Sequence, residues 1–183
     1  MEFTPDFPTF AETFRRGPAQ VVSTRLIADL ETPVSAMIKL AQGQPNSFLL
    51  ESVEGGAIRG RYSFVGLRPD LIWRCRGNMA EINRQALDDA GAFEPCPVAA
   101  EDGTLASFRS LLAESRIDLP EGMPPMAAGL FGYLGYDAVR LAEAIPDQNP
   151  AHIDVPDGQF VRPTVIAIFD AVDDTVSVVT PVW

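Results

Sequence analysis

The chain has 183 residues, of which 46% are apolar and 21% charged, the composition of a globular protein with room for a proper core. Its formal charge is −11, from 25 acids against 14 bases. That balance argues against nucleic acid and against an anionic membrane surface, both of which demand a basic footprint. No stretch holds the run of apolar residues a membrane helix needs, and the opening MEFTPDFPTF lacks the basic and apolar regions of a signal peptide, so a cytoplasmic location is expected.

Phe7, Phe10, Ala11 and Phe14 recur at helical spacing, which predicts a short amphipathic helix ending at Gly17-Pro18. Gln20 to Leu26 is β-rich. Thr32-Pro33 reads as an N-cap with proline in the first turn, opening a helix that stops near Gly43. Residues 48–52, 61–66, 70–75 and 79–83 read as successive strands of an antiparallel meander, punctuated by Gly66 and Gly77. Residues 84–103, with Pro95 and Pro97, are expected to be a loop. Thr104 is expected to cap a helix to about Ser115, with Leu105, Phe108, Leu111 and Leu112 as its buried stripe. Beyond the prolines at 120, 124 and 125 comes a glycine-rich strand, with Asp137 as N-cap of a helix over 138–143. Two strands follow, Phe160 to Phe169 and Thr175 to Val179, joined by an acidic turn. Strands and helices without a regular βαβ rhythm predict an α+β fold, a largely antiparallel sheet with flanking helices. The last strand runs straight into Pro181-Val182-Trp183, so an uncovered apolar edge is a further expectation.

Two cysteines, Cys75 and Cys96, and one histidine, His152, match no metal-ligand spacing and no disulfide framework. The run Gly129 to Asp137 has glycines at 129, 132 and 135 but fits neither a dinucleotide fingerprint nor a P-loop. Close backbone approach explains those glycines better. The run from Phe48 to Gly66 is the more informative one. Glu51 and Ser52 end its first strand, and an acid beside a hydroxyl suits an amino-acid ligand: the carboxylate takes the ammonium, the hydroxyl a second polar group. On residue type alone, a turn serving its own backbone is the simpler reading. Arg61 and Tyr62 must face opposite ways on a strand. Arg61 is either a clamp for a ligand carboxylate or a solvated cation paired with Glu51 or Glu54.

Leu49-Leu50-Glu51-Ser52, Gly55-Gly56, and Gly60-Arg61-Tyr62-Ser63-Phe64 together resemble the N-terminal region of anthranilate synthase component I. Gly132-Tyr133-Leu134-Gly135-Tyr136-Asp137 and Phe160-Val161-Arg162-Pro163 extend the resemblance, in order, over roughly residues 20 to 183. It implies that residues 1–183 form the regulatory domain, with the chorismate-using catalytic domain absent. It implies L-tryptophan as feedback inhibitor, bound at Leu50, Glu51, Ser52 and Arg61, with Tyr133 and Tyr136 as possible walls. It implies no catalytic, cofactor-binding or metal residues on this chain, which would be inactive alone. Mg²⁺ and a glutamine amidotransferase subunit, component II, would serve the full enzyme, a lyase making anthranilate and pyruvate for tryptophan synthesis. The N-terminal domain of aminodeoxychorismate synthase component I is the related alternative. Others are a stand-alone amino-acid-binding module and a non-functional fragment with an aggregating edge.

Overall fold

A computed structural model describes residues 2–54, 58–146 and 153–183, and of residues 52–54, 58 and 59 only the backbone. The Gly55-Gly56 turn, the Ser52 side chain and the loop with His152 therefore lie outside what is described. The elements are α1 (Phe7–Arg16), β1 (Gln20–Ile27), α2 (Pro33–Ala41), β2 (Phe48–Glu54), β3 (Ile58–Arg76) and β4 (Met79–Asn83), then β5 (Glu94–Pro95), α3 (Pro97–Asp102), α4 (Thr104–Glu114), β6 (Phe131–Leu134), β7 (Gly158–Asp170) and β8 (Thr175–Val182). Neighbours run β1-β8-β7-β3-β4-β5, with β2 on β3 and β6 on β7. The pairings β1/β8, β7/β8, β2/β3, β3/β4, β4/β5 and β6/β7 are all antiparallel. The architecture is the expected α+β one. No described helix is long and apolar enough to cross a membrane.

The chain forms two compact units. The first comprises residues up to Pro69, Arg116–Gly129 and Pro163–Trp183; the second comprises Asp70–Ser115 and Leu130–Arg162. Strands β3 and β7 run through both and change partners on the way. In the first unit β3 pairs with β2 and β7 with β8; in the second β3 pairs with β4 and β7 with β6. Pro163 falls between the β6-paired stretch, which ends at Val161, and the β8-paired stretch, which starts at Ile166. Its missing N–H therefore interrupts neither of those two ladders.

The first unit's core gathers Ala36, Ala41, Val65, Leu67, Ala167 and Phe169, with Leu49 and Met37 packed against it. Helix α2 starts as its sequence dictates. Thr32 Oγ1 accepts from Ser35 N at 3.1 Å and Ser35 Oγ accepts from Thr32 N at 3.0 Å, a reciprocal cap with Pro33 in the first turn. Helix α1 closes at Gly17, whose φ of 94° suits glycine. The second unit's core is built on Trp73, Leu71, Cys75, Ile82, Cys96 and Leu111. Trp73 is fully buried, donates its indole N–H to Ser107 Oγ at 2.9 Å, and sits 5.1 Å from the Phe108 ring. Burial and the nearby Asp157 push the Cys75 thiol up to about 11, which leaves it protonated and unreactive at neutral pH.

Several expectations need correction. Residues 61–66 and 70–75 are one strand: Gly66 does not end it, because its missing side chain makes room for the Phe48 ring. Within 84–103 a short helix, α3, starts at Pro97, since proline is well suited to a first helical position. Thr104 is inside α4, where its hydroxyl donates to Gly77 O at 3.0 Å, and the preceding Gly103 is the cap. The buried face of α4 is Thr104, Ser107 and Leu111, while Leu112 is 48% exposed; a small hydroxyl fits under the Trp73 ring edge where a leucine would not. Tyr136–Leu141 forms tight 3-10 turns capped by Gly135, and Asp137 lies within them, paired with Arg140. Strand β8 lies between β1 and β7, so it presents no open edge.

Candidate functional site

Strand β2 brings Glu51 to a cavity by simple alternation. Leu49 turns into the first unit's core, and Glu51, two residues on, shares its face. There it lines a cavity of about 360 Å³. Ser63, its cross-strand partner on β3, is on the same wall. Thr32 and Pro33, at the start of α2, form a second wall, and Asp170 and Asp174, from the β7–β8 turn, a third.

The charges on these walls are unequal in availability. Asp170 is gripped by Arg61: Nε reaches Oδ1 at 3.0 Å and Oδ2 at 3.1 Å, and Nη2 reaches Oδ2 at 2.7 Å. That forked hydrogen bonding holds the Asp170 carboxyl below its usual range and raises Arg61. Glu31 is likewise lowered, first by its hydrogen bond from Lys39 and then by that from Ser35. The Glu51 side chain has no hydrogen-bond or ion-pair partner among the described residues. The first turn of α2 is already satisfied by its own cap, so the wall offers a ligand a carboxylate rather than N–H donors. An open carboxylate in a cavity of this size, itself within the range of small-molecule sites, fits an ammonium-bearing ligand.

The other sequence-derived candidates are placed differently. Leu50 stands opposite Phe64, on the reverse face from Glu51, and is 42% exposed. Ser52 lies where the β2/β3 ladder shifts register, between Glu51 and Val53. Arg61 pairs with Asp170 rather than Glu51, lies 5.0 Å from the Tyr62 ring centroid, and does not line the cavity. Tyr133 and Tyr136 line a different cavity, of about 480 Å³, in the second unit. Tyr133 donates its hydroxyl to Pro156 O at 3.0 Å there. Ser63, Asp170 and Asp174 escaped the sequence reading. The acidic turn was visible as a turn, but only strand order brings it beside β2.

Among known proteins, anthranilate synthase component 1 of Cereibacter sphaeroides is 51% identical over 177 residues, covering 97% of this chain and 35% of its own. This chain is a homologue of anthranilate synthase component 1. The Synechocystis protein of the same name is 37% identical over 92% of the chain and 32% of its own length. The chain thus spans about a third of the curated relatives it matches. A solved anthranilate synthase component I from Streptococcus pneumoniae aligns over 84% of the chain and 30% of that one, with 22% identity and a TM-score of 0.47. No protein-family model matches.

Proposed function

We propose that this chain is the regulatory part of an anthranilate synthase component I and that L-tryptophan binds at Glu51 to inhibit the whole enzyme. The full enzyme would convert chorismate and glutamine-derived ammonia to anthranilate and pyruvate in the cytoplasm. Its catalytic domain would lie in the stretch of the longer relatives that this chain does not span, and component II would supply the ammonia. The 183-residue chain alone would be inactive. Mg²⁺ would serve the catalytic domain of the full enzyme; among the described residues of this chain, no group of three or more His, Cys, Asp or Glu is placed to hold a metal.

The observation that carries this reading is the Glu51 carboxylate, unengaged on a cavity wall within a Leu50-Glu51-Ser52 run. Glu51 takes the ligand ammonium. Ser52, next along β2, meets a second polar group, and Leu50 braces the strand from behind. Arg61 would have to release Asp170 to reach a ligand carboxylate, so its first contribution is to fix that turn.

Calorimetric titration of L-tryptophan into the chain tests the reading. Binding is expected, and Glu51→Gln should weaken it by about tenfold or more, since a hydrogen bond to a charged group contributes about 1.5–3 kcal/mol. Equal binding by Glu51→Gln would remove Glu51 from the site. In an intact enzyme carrying this segment, Ser52→Phe is expected to abolish inhibition by tryptophan and leave uninhibited turnover near normal. Retained inhibition in that variant would exclude Ser52.

A further inference from the structure

We propose that Arg61 and Arg25 are positioning residues that hold the β7–β8 turn as a wall of the Glu51 cavity, a proposal that rests on the tryptophan reading above. The turn carries Asp170, Asp173 and Asp174 within five residues, so left alone it repels itself. Two arginines from flanking strands counter that. Arg61, on β3, grips Asp170 through its fork and lies 3.6 Å from Asp173. Arg25, on β1, reaches Asp173 at 2.8 Å and donates Nε–H to Thr175 Oγ1 at 3.1 Å.

The grip is transmitted through the backbone. Asp170 Oδ1 also accepts from Val172 N at 3.0 Å, which closes the turn on itself. Ala171 N donates to Arg61 O at 2.9 Å, and Ala28 N donates to Asp174 O at 2.9 Å. The last bond ties the β1–α2 loop, which brings Asp29, Glu31 and Thr32 to the cavity, to the same turn. Two of the three walls around Glu51 therefore depend on one clasp, although neither arginine lines the cavity. Asp170, at 11% side-chain exposure, is its best-shielded member.

The test is tryptophan titration into the 183-residue chain and its variants, with thermal melts to confirm folding. Arg61→Met and Asp170→Asn should each weaken binding about fivefold or more, a coupling of ordinary size. Because both break one clasp, the double variant should bind no worse than either single. Arg61→Lys keeps the charge but not the fork, so it should recover part of the loss, which a side chain that merely packs would not do. If Arg61→Met fails to fold, Asp170→Asn, which keeps the acceptor for Val172 N, carries the test. Wild-type binding with an Arg61→Met affinity within about twofold overturns the clasp and leaves the tryptophan reading standing. Absence of binding by the wild-type chain overturns both.

Discussion

Replacing Arg162 by methionine is expected to cost about 3 kcal/mol of stability, the lower end of the penalty for breaking a buried ion pair, since the stranded carboxylate keeps some exposure. Arg162 is 8% exposed, on the stretch of β7 that belongs to the second unit. Its Nε and Nη2 each meet an Asp70 oxygen at 2.8 Å, and Asp70 sits on β3 with a side chain 22% exposed. Nη1 lies 3.7 Å from Glu114, at the end of α4, which Arg84 also holds at 2.5 and 2.7 Å. Two arginines and two carboxylates thus alternate within one unit. Arg84 first, and then Arg162, hold the Glu114 carboxyl below its ordinary value. A carboxyl depressed on folding stabilises above its unfolded pKa, and that contribution fades as pH falls through the folded value. Urea unfolding followed by circular dichroism measures the loss. Arg162→Lys should also be destabilising, because an ammonium cannot reproduce the fork. Arg162→Met combined with Asp70→Leu should recover much of it, since no charge is then stranded. A loss under about 1 kcal/mol for Arg162→Met would place this pair with exposed ones.

The sequence was readable where local chemistry decides. Thr32-Pro33 announced α2 because both residues act within one turn, and Gly17 announced the end of α1 for the same reason. It was misleading where a residue's reason lies far along the chain. Gly66 looked like a strand end, yet its partner in packing is Phe48. Leu112 fits the helical stripe of α4, but the burying surface is Trp73, and that surface favours Ser107. The same division runs through the site. Glu51 was legible as a carboxylate at a strand end with ligand chemistry. The turn that completes its cavity lies more than a hundred residues on, and only the neighbouring of β7 and β3 reveals it. Arg61 shows the limit most plainly: the sequence offers it a ligand carboxylate or the nearby acids Glu51 and Glu54, and Asp170, 109 residues on, holds it instead.

Gly132→Ala is expected to be about as damaging as the loss of Arg162, for a steric reason. Gly132 pairs with Phe160 in the β6/β7 ladder, and a Cβ at that position would lie 1.9 Å from Gln159 O and 2.7 Å from Phe160 Cα. Those atoms are backbone, so no rotamer change relieves the overlap. Either β6 separates from β7 or the strand shifts register, and a shift of one residue would turn each β6 side chain to the other face. Overpacking usually costs about 1–3 kcal/mol where side chains can adjust, and more is expected here because they cannot. Gly66→Ala is the graded comparison. Its Cβ would lie 2.1 Å from Phe48 Cζ, but a ring can swing away, so a smaller loss is expected. Gly91→Ala is the control: its nearest neighbour would be Asp89 Oδ1 at 3.3 Å, at an exposed turn. Denaturant midpoints should fall in the order Gly91→Ala, Gly66→Ala, Gly132→Ala, from least to most affected. Amide exchange in Gly132→Ala should rise first along Phe131–Leu134 and Gly158–Val161, the paired stretches of β6 and β7. A Gly132→Ala midpoint no lower than that of Gly91→Ala would show that the strand pair yields where its backbone contacts say it cannot.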